Sequence, residues 1–263
     1  MKRTPRKPLQ GIKIVVTRPR DQAAEMIAQL EKLGAEAVSI PAIRIRPLRP
    51  NPELDRAIAK LDKYLYLVFT SRNGVEIFFE ELKQKGRDRR ALRHLKVACI
   101  GPATAQALKL QGVKCGIQPR SFVAEALLAA FPRDLKGQRV LLPRAKEARE
   151  VLPAGLRGRG AKVDVVPVYE SVPMRPAPRV PQDTDIVIFT SGSTVINFIG
   201  KVKIPKKTRI AVIGPITKAE VEKRGRKADI VAEKFTAQGL VNAIKKYIAA
   251  TGAVAGNPGG KRA

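Results

Sequence analysis

Two short motifs that carry hydroxyl groups occur twice each in this 263-residue chain, and one of them begins with glycine. Thr70-Ser71 is matched by Thr190-Ser191, and Gly101-Pro102-Ala103-Thr104 is matched by Gly214-Pro215-Ile216-Thr217. Each motif follows an apolar run that predicts a strand and precedes a pattern that predicts a helix. The start of a helix presents unpaired N–H groups and the positive end of its dipole, so all four positions favour an anionic ligand.

The side chains that metal and nucleophilic chemistry require are scarce. The chain has two cysteines, Cys99 and Cys115, and one histidine, His94, which are too few for a tetrahedral Cys/His zinc site. Cys99 lies in an apolar run and is expected in the core. Ser191-Gly192-Ser193 lacks the glycine spacing of a nucleophile elbow. We therefore expect neither a metal centre nor a catalytic triad.

Nucleotide-binding motifs are also absent. The glycine-rich stretch 155–160 follows a predicted helix and precedes a strand, which is the wrong order for a dinucleotide fingerprint, and we expect a loop there. The Gly101–Thr104 motif lacks the Gly-Lys-Ser/Thr ending of a P-loop.

The elements that position these motifs alternate between strand and helix. Residues 12–17 predict a buried strand, 21–33 an amphipathic helix that Gly34 ends, and 35–40 a second strand. Prolines and alternating arginines at 41–47 predict an extended ribbon. Further on, the pattern predicts helices at 52–61, 73–85, 102–110 and 124–131, and strands at 64–70, 96–100 and 114–118. Such alternation is typical of parallel sheets covered on both faces, where ligands bind beyond the carboxyl ends of the strands.

The same order of motifs begins again at Gly137. Four ordered matches carry this repetition: 11–18 with 137–144, 67–71 with 187–191, 100–104 with 213–217, and 122–127 with 235–240. Arg18 and Arg144 each follow the matched first strand of a copy. We infer an internal duplication.

The formal net charge of +28 is the strongest feature of the composition. The basic residues are spread over both halves and only 5% of the chain is aromatic, so a solvated surface, or a field for a small polyanion, fits better than a nucleic-acid interface. Charged residues interrupt every apolar run before the roughly 20 residues of a membrane span. No apolar stretch of signal-peptide type follows the basic N-terminus. We expect a cytoplasmic protein without membrane helices.

In this order, the motifs resemble those of uroporphyrinogen-III synthases. The resemblance covers residues 11–250 and rests on the ordered set Thr17-Arg18, Phe69–Val75, Ile100–Ala105, Pro167-Val168-Tyr169 and Phe189–Ser193. Ser171 departs from the threonine of many members but keeps the hydroxyl group.

The resemblance implies an α/β fold with two similar doubly wound parallel-sheet domains joined by a two-stranded linker ribbon. One domain would combine residues 1–41 with 174–250, the other would comprise 46–167, and residues 42–45 and 168–173 would be the linker strands. The glycine-rich end, 251–263, is expected to be a disordered tail.

The activity that the resemblance implies is cyclisation of hydroxymethylbilane to uroporphyrinogen III, with inversion of the terminal pyrrole ring and loss of water. This hydro-lyase reaction belongs to tetrapyrrole biosynthesis and needs no cofactor. The protein would be a monomer, with hydroxymethylbilane synthase as a candidate for transient contact. Tyr169 matches a position suited to a weak acid. Substrate contacts are expected at Arg18, Ser71, Asn73, Thr104, Arg144, Ser191, Gly192, Ser193 and Thr217.

Other interpretations of these residues remain open. The serines and threonines would also serve as helix caps, Tyr169 as a packing residue of the linker, and the two arginines as solvated surface groups. A non-catalytic, hinge-type protein that binds an anion between two domains, and a basic nucleic-acid binder, are the alternative functions.

Overall fold

The computed structural model describes residues 6–252 and divides them into two compact units. Unit 1 contains the described residues up to Arg44 and those from Val172 onward, and unit 2 contains Ile45–Ser171. The chain thus passes into unit 2 within one strand and returns to unit 1 within another.

Strands and helices alternate through both units. The strands are β1 Lys13–Val16, β2 Glu36–Ser39, β3 Ile43–Pro47, β4 Tyr66–Phe69, β5 Lys96–Cys99, β6 Arg139–Ala145, β7 Lys162–Pro173, β8 Ile186–Phe189, β9 Arg209–Val212 and β10 Ile230–Val231. The helices are α1 Arg20–Lys32, α2 Pro52–Ala59, α3 Arg72–Gln84, α4 Pro102–Leu110, α5 Ala124–Ala129, α6 Val151–Gly158, α7 Gly192–Phe198, α8 Pro215–Glu222 and α9 Ala237–Thr251. No described helix is both long and apolar enough to cross a bilayer.

Unit 1 is built on a five-stranded parallel sheet in the order β10-β9-β8-β1-β2. Its central strands are apolar on both faces, since β8 is buried along its whole length. Helices α1 and α9 pack on one face around Leu30 and Ile244, both fully buried. Burial on both faces explains why these strands are continuous apolar runs rather than alternating ones.

Unit 2 contains the sheet β3-β7-β6-β4-β5, in which β4, β5, β6 and β7 are parallel. One apolar cluster around Phe69 and Phe78 covers one face, and a second around Val68 and Leu142 covers the other. Just after the edge strand β3 ends, the Leu48 N–H donates to the Val168 carbonyl of β7 at 3.0 Å.

The duplication is visible in the order of the strands. Matching β1 with β6, β2 with β7, β8 with β4 and β9 with β5 gives the same neighbours in both sheets. Each unit therefore combines strands from both copies of the repeated sequence.

Three predictions need correction or limits. Residues 114–118 form only an isolated parallel bridge, Ala98 with Ile117, in place of a strand. The expected loop at 155–160 was wrong, because Gly155 and Gly158 lie in α6. A Cβ on Gly155 would come within 2.1 Å of the Leu128 side chain, so glycine serves close packing of α5 on α6. Of the predicted tail, residues 251 and 252 end α9, and 253–263 lie outside the described residues.

Candidate active site

Ser71 occupies the carboxyl end of β4 and begins α3. Its extended backbone and short hydroxyl side chain make it the N-cap, and Oγ accepts a hydrogen bond from the Gly74 N–H at 3.1 Å. A Cβ on Gly74 would lie 3.2 Å from the Pro143 carbonyl oxygen, so the glycine allows the first turn of α3 to approach β6 closely. The predicted cap is therefore real, and it holds α3 against the sheet.

Tyr169 brings three of the predicted site residues together. It lies near the end of β7, beside Ala145 of β6, and its Oη donates to Ser71 Oγ at 2.9 Å. The Asn73 side chain is a further hydrogen-bond partner of the phenol. Tyr169, Ser71 and Asn73 thus form one polar cluster at the carboxyl edge of the unit 2 sheet.

The environment of Tyr169 keeps its hydroxyl protonated. The residue is only 5% exposed, and its ring belongs to the apolar core of unit 2. Burial raises the pKa of the phenol, while the hydrogen bonds with Ser71 and Asn73 oppose that shift. At neutral pH the group is therefore a hydrogen-bond donor, the form in which a weak acid acts.

Glu147 is a neighbour of this cluster that the sequence did not indicate. It lies on the exposed segment after β6, and its charge contributes to the raised pKa of Tyr169. The adjacent Lys146 N–H donates to the Tyr169 carbonyl at 2.8 Å, which holds this segment beside β7. The sequence could have indicated Glu147 by its position a few residues after a predicted strand, since Arg144 was chosen on the same ground.

Arg144 has a partner within its own unit. Its side chain is buried, pairs with the Glu150 carboxylate and donates to the Arg149 carbonyl at 2.9 Å. Its Nε is buried with no hydrogen-bond partner in the described structure. The guanidinium therefore links the end of β6 to residues 149 and 150 of the segment that follows.

The two Gly-Pro-x-Thr motifs begin helices as expected, with proline in the first turn. Thr104 and Thr217 are 4% and 3% exposed, so their side chains face inward from α4 and α8. The glycines before them are each packed by the phenylalanine of the matched tail motif. A Cβ on Gly101 would lie 3.7 Å from Phe122, and one on Gly214 would lie 2.9 Å from Phe235.

Ser191 repeats in unit 1 the role of Ser71 in unit 2. It is the N-cap of α7, and its Oγ accepts from the Thr194 N–H at 3.3 Å and lies 2.9 Å from Ser193 Oγ. Ser191, Gly192 and Ser193 are half-buried, so this turn presents two hydroxyl groups close together at the surface of unit 1.

Arg18 follows β1 at the same edge of the unit 1 sheet. Its guanidinium is half-buried and donates to Gln22 Oε1 at 3.3 Å, while its carbonyl accepts from the Ser39 hydroxyl at 3.2 Å. The preceding Thr17 is fully buried and ties β1 to β8 through the Ile188 carbonyl at 2.7 Å. The backbone just before Arg18 is therefore fixed to the sheet by Thr17.

Each unit thus presents hydroxyl-capped helix starts at the carboxyl edge of a parallel sheet. Among residues 6–252, no group of three or more His, Cys, Asp or Glu side chains is arranged to hold a metal ion. The fold and these edges define the class: a duplicated α/β protein whose polar strand ends suit a small, anionic ligand.

Comparison with known proteins identifies the family to which this chain belongs. The model of the family described as uroporphyrinogen-III synthase HemD matches residues 24–242. This chain belongs to the uroporphyrinogen-III synthase family, as its motifs predicted.

Relatives and a solved structure agree with this assignment. A Synechococcus elongatus protein described as uroporphyrinogen-III synthase is 32% identical over 259 residues, covering 91% of this chain and 97% of the relative. A Ruminiclostridium josui porphyrin biosynthesis protein HemD is 33% identical over 247 residues, and the match spans 91% of this chain but only 49% of that longer protein. The crystal structure of a mutant Thermus thermophilus uroporphyrinogen III synthase superimposes with a TM-score of 0.64 at 20% identity, over 91% of this chain and 99% of that one. This likeness confirms the predicted α/β fold with two parallel sheets.

Proposed function

We propose that this chain cyclises hydroxymethylbilane to uroporphyrinogen III, with inversion of the terminal pyrrole ring and loss of water. The observation that carries the proposal is the family match over residues 24–242. The reaction removes water to form a carbon–carbon bond, which makes the proposed enzyme a lyase. We further propose that it acts as a monomer in the cytoplasm without a cofactor.

The reaction depends more on positioning of the substrate than on strongly acidic or basic catalytic groups. The electron-rich pyrrole drives departure of the hydroxymethyl oxygen, and proton donation to that oxygen assists it. Closure at the substituted carbon of the terminal ring leads to the type III isomer, and closure without inversion leads to type I. The enzyme must therefore hold the linear tetrapyrrole in the conformation that directs closure to the substituted carbon.

Tyr169 is the proposed donor to the departing hydroxyl. Its phenol is protonated at neutral pH and is held in place by Ser71 and Asn73. Because the phenol already donates to Ser71 Oγ, the acid role requires the substrate oxygen to replace Ser71 as its acceptor. Ser71 and Asn73 would then position the phenol and stabilise it after proton transfer.

The carboxylates of the substrate are proposed to bind at the helix starts. Ser191, Gly192 and Ser193 offer hydroxyl and N–H donors on a half-buried turn, and Arg18 offers a half-buried guanidinium. Arg144, Thr104 and Thr217 are buried, so we propose that they shape the edge on which the substrate lies.

The reaction also suggests a partner. Hydroxymethylbilane closes spontaneously to the type I isomer, so rapid delivery from hydroxymethylbilane synthase would raise the yield of type III. We propose transient contact with that enzyme.

The proposal is tested by adding the purified chain to a reaction in which hydroxymethylbilane synthase makes the substrate. We expect the product, oxidised and separated by chromatography, to shift from the type I to the type III isomer. Boiled protein is the control, and a product mixture equal to that control would exclude the proposed activity.

A further inference from the structure

The two cysteines lie side by side at the edge of unit 2. Cys99 ends β5 and is fully buried, and Cys115 is half-buried on the segment between α4 and α5. Their Sγ atoms are 2.8 Å apart and are not joined by a disulfide. A disulfide would require the sulfurs to approach by less than about 1 Å.

Backbone hydrogen bonds hold both residues in this position. The Cys99 N–H donates to the Ile117 carbonyl at 2.9 Å, and the Gly116 N–H donates to the Val97 carbonyl at 2.8 Å. These bonds belong to the short parallel bridge beside β5. The two sulfurs therefore lie close together because the backbone segments that carry them are paired, and not only because of the rotamer of one side chain.

The two thiols differ in reactivity. A hydrogen bond links the two thiols; it lowers the pKa of Cys115 and raises that of Cys99, and burial raises the pKa of Cys99 further. Cys115 is also the residue that solvent reaches. A thiolate attacks a disulfide and a thiol does not, so Cys115 is the expected nucleophile.

We propose that Cys99 and Cys115 form a reversible dithiol–disulfide site that reacts with small-molecule disulfides. The Cys115 thiolate attacks one sulfur of RS–SR, forms a mixed disulfide and releases RS⁻. Cys99 then loses its proton and displaces the second RS⁻, which completes the protein disulfide. The protein loses two electrons and two protons, and the small disulfide is reduced to two thiols RSH.

Oxidation at this site would constrain one helix of unit 2. The ring closed by the Cys99–Cys115 bond contains all of α4, Pro102–Leu110. A ring of this length restricts the unfolded chain, and we expect the thermal transition of unit 2 to rise by roughly 5–10 °C on oxidation.

The site is tested on the full chain with oxidised glutathione as the probe. After incubation, free thiols are blocked with an alkylating reagent and the protein is digested with trypsin without reduction. We expect the peptides Val97–Lys109 and Cys115–Arg120 joined by a disulfide, with a mass about 2 Da below their sum because two hydrogen atoms are lost. Treatment of the oxidised protein with dithiothreitol before alkylation should abolish the joined peptide.

Two variants test the order of the steps. Cys99→Ser should accumulate glutathione on Cys115, because the second displacement has no nucleophile. Cys115→Ser should leave Cys99 unmodified, because that thiol is fully buried. A wild-type protein that carries glutathione on Cys115 but gives no joined peptide would overturn the proposal, as would faster modification of Cys99 in Cys115→Ser than of Cys115 in Cys99→Ser.

Discussion

Tyr169 donates its phenolic hydrogen to the hydroxyl of Ser71 across 2.9 Å, and this bond joins the end of β7 to the first turn of α3. The two residues are 98 positions apart in sequence and come from different motifs of the family pattern. Their contact unites a group suited to proton donation with a helix start suited to an anion.

Tyr169→Phe removes the proposed proton donor while keeping the ring in the core. We expect turnover to slow by about 10- to 100-fold, with the affinity for uroporphyrinogen III changed by less than about two-fold. Steady-state kinetics and product binding measure the two quantities separately. Tyr64→Phe, which removes another tyrosine hydroxyl from unit 2, is the matched control and should leave turnover unchanged. Equal turnover of Tyr169→Phe and wild type would remove Tyr169 from the acid role.

The Tyr169–Ser71 bond itself is tested by a double-mutant cycle. Ser71→Ala should lower the free energy of unfolding by about 1 kcal/mol through loss of the helix cap. The loss of unfolding free energy in the double variant Ser71→Ala/Tyr169→Phe should be about 0.5–1 kcal/mol smaller than the sum of the losses in the two single variants, because both substitutions remove the same bond. Ser191→Ala replaces a cap in unit 1 and should be additive with Tyr169→Phe. Additive effects for both pairs, measured by urea unfolding, would argue against the bond.

Ionisation of Tyr64 should make the stability of the protein depend on pH in the alkaline range. Burial, together with the hydrogen bond to Asp164 at 2.7 Å, raises the pKa of Tyr64 from 10.0 to about 12. Because the folded protein holds this proton more tightly than the unfolded chain, the stabilisation is complete below pH 10 and is lost as the pH rises towards 12. We expect the difference in unfolding free energy between wild type and Tyr64→Phe to shrink over this range. A difference that stays constant from pH 9 to 12 would contradict the raised pKa.

The paired glycines provide a comparison between the two copies. Gly214→Ala places a Cβ 2.9 Å from the Phe235 ring and should destabilise the protein by about 1–3 kcal/mol through overpacking. Gly101→Ala places a Cβ at an ordinary 3.7 Å from Phe122 and should change stability by less than about 1 kcal/mol. Thermal unfolding of the two variants measures the contrast, and equal losses would show that the Phe235 ring moves aside freely.

Local patterns predicted much of this fold. Ser71 and Ser191 were identifiable as possible caps because serine is favoured at the N-cap, between an apolar run and a helical pattern. The duplication also indicated which strands correspond, since repeated motifs lie at equivalent places in equivalent sheets.

What escaped prediction depends on long-range packing. The pairing of Arg144 with Glu150 was not predicted, because it arises where the segment after β6 turns back and brings that carboxylate to the guanidinium. Gly155 lies within a helix because α5 packs closely against it, which no local pattern shows. Likewise, the inward orientation of Thr104 and Thr217 follows from how α4 and α8 lie on their sheets.

The proposed enzyme directs closure of hydroxymethylbilane to the inverted isomer. The most direct measurement is the fraction of type III product as a function of the concentration of the purified chain, at a fixed rate of substrate supply. We predict that this fraction rises from the spontaneous level towards complete type III product as the chain becomes abundant. A fraction that stays at the spontaneous level at every concentration would contradict the proposed activity.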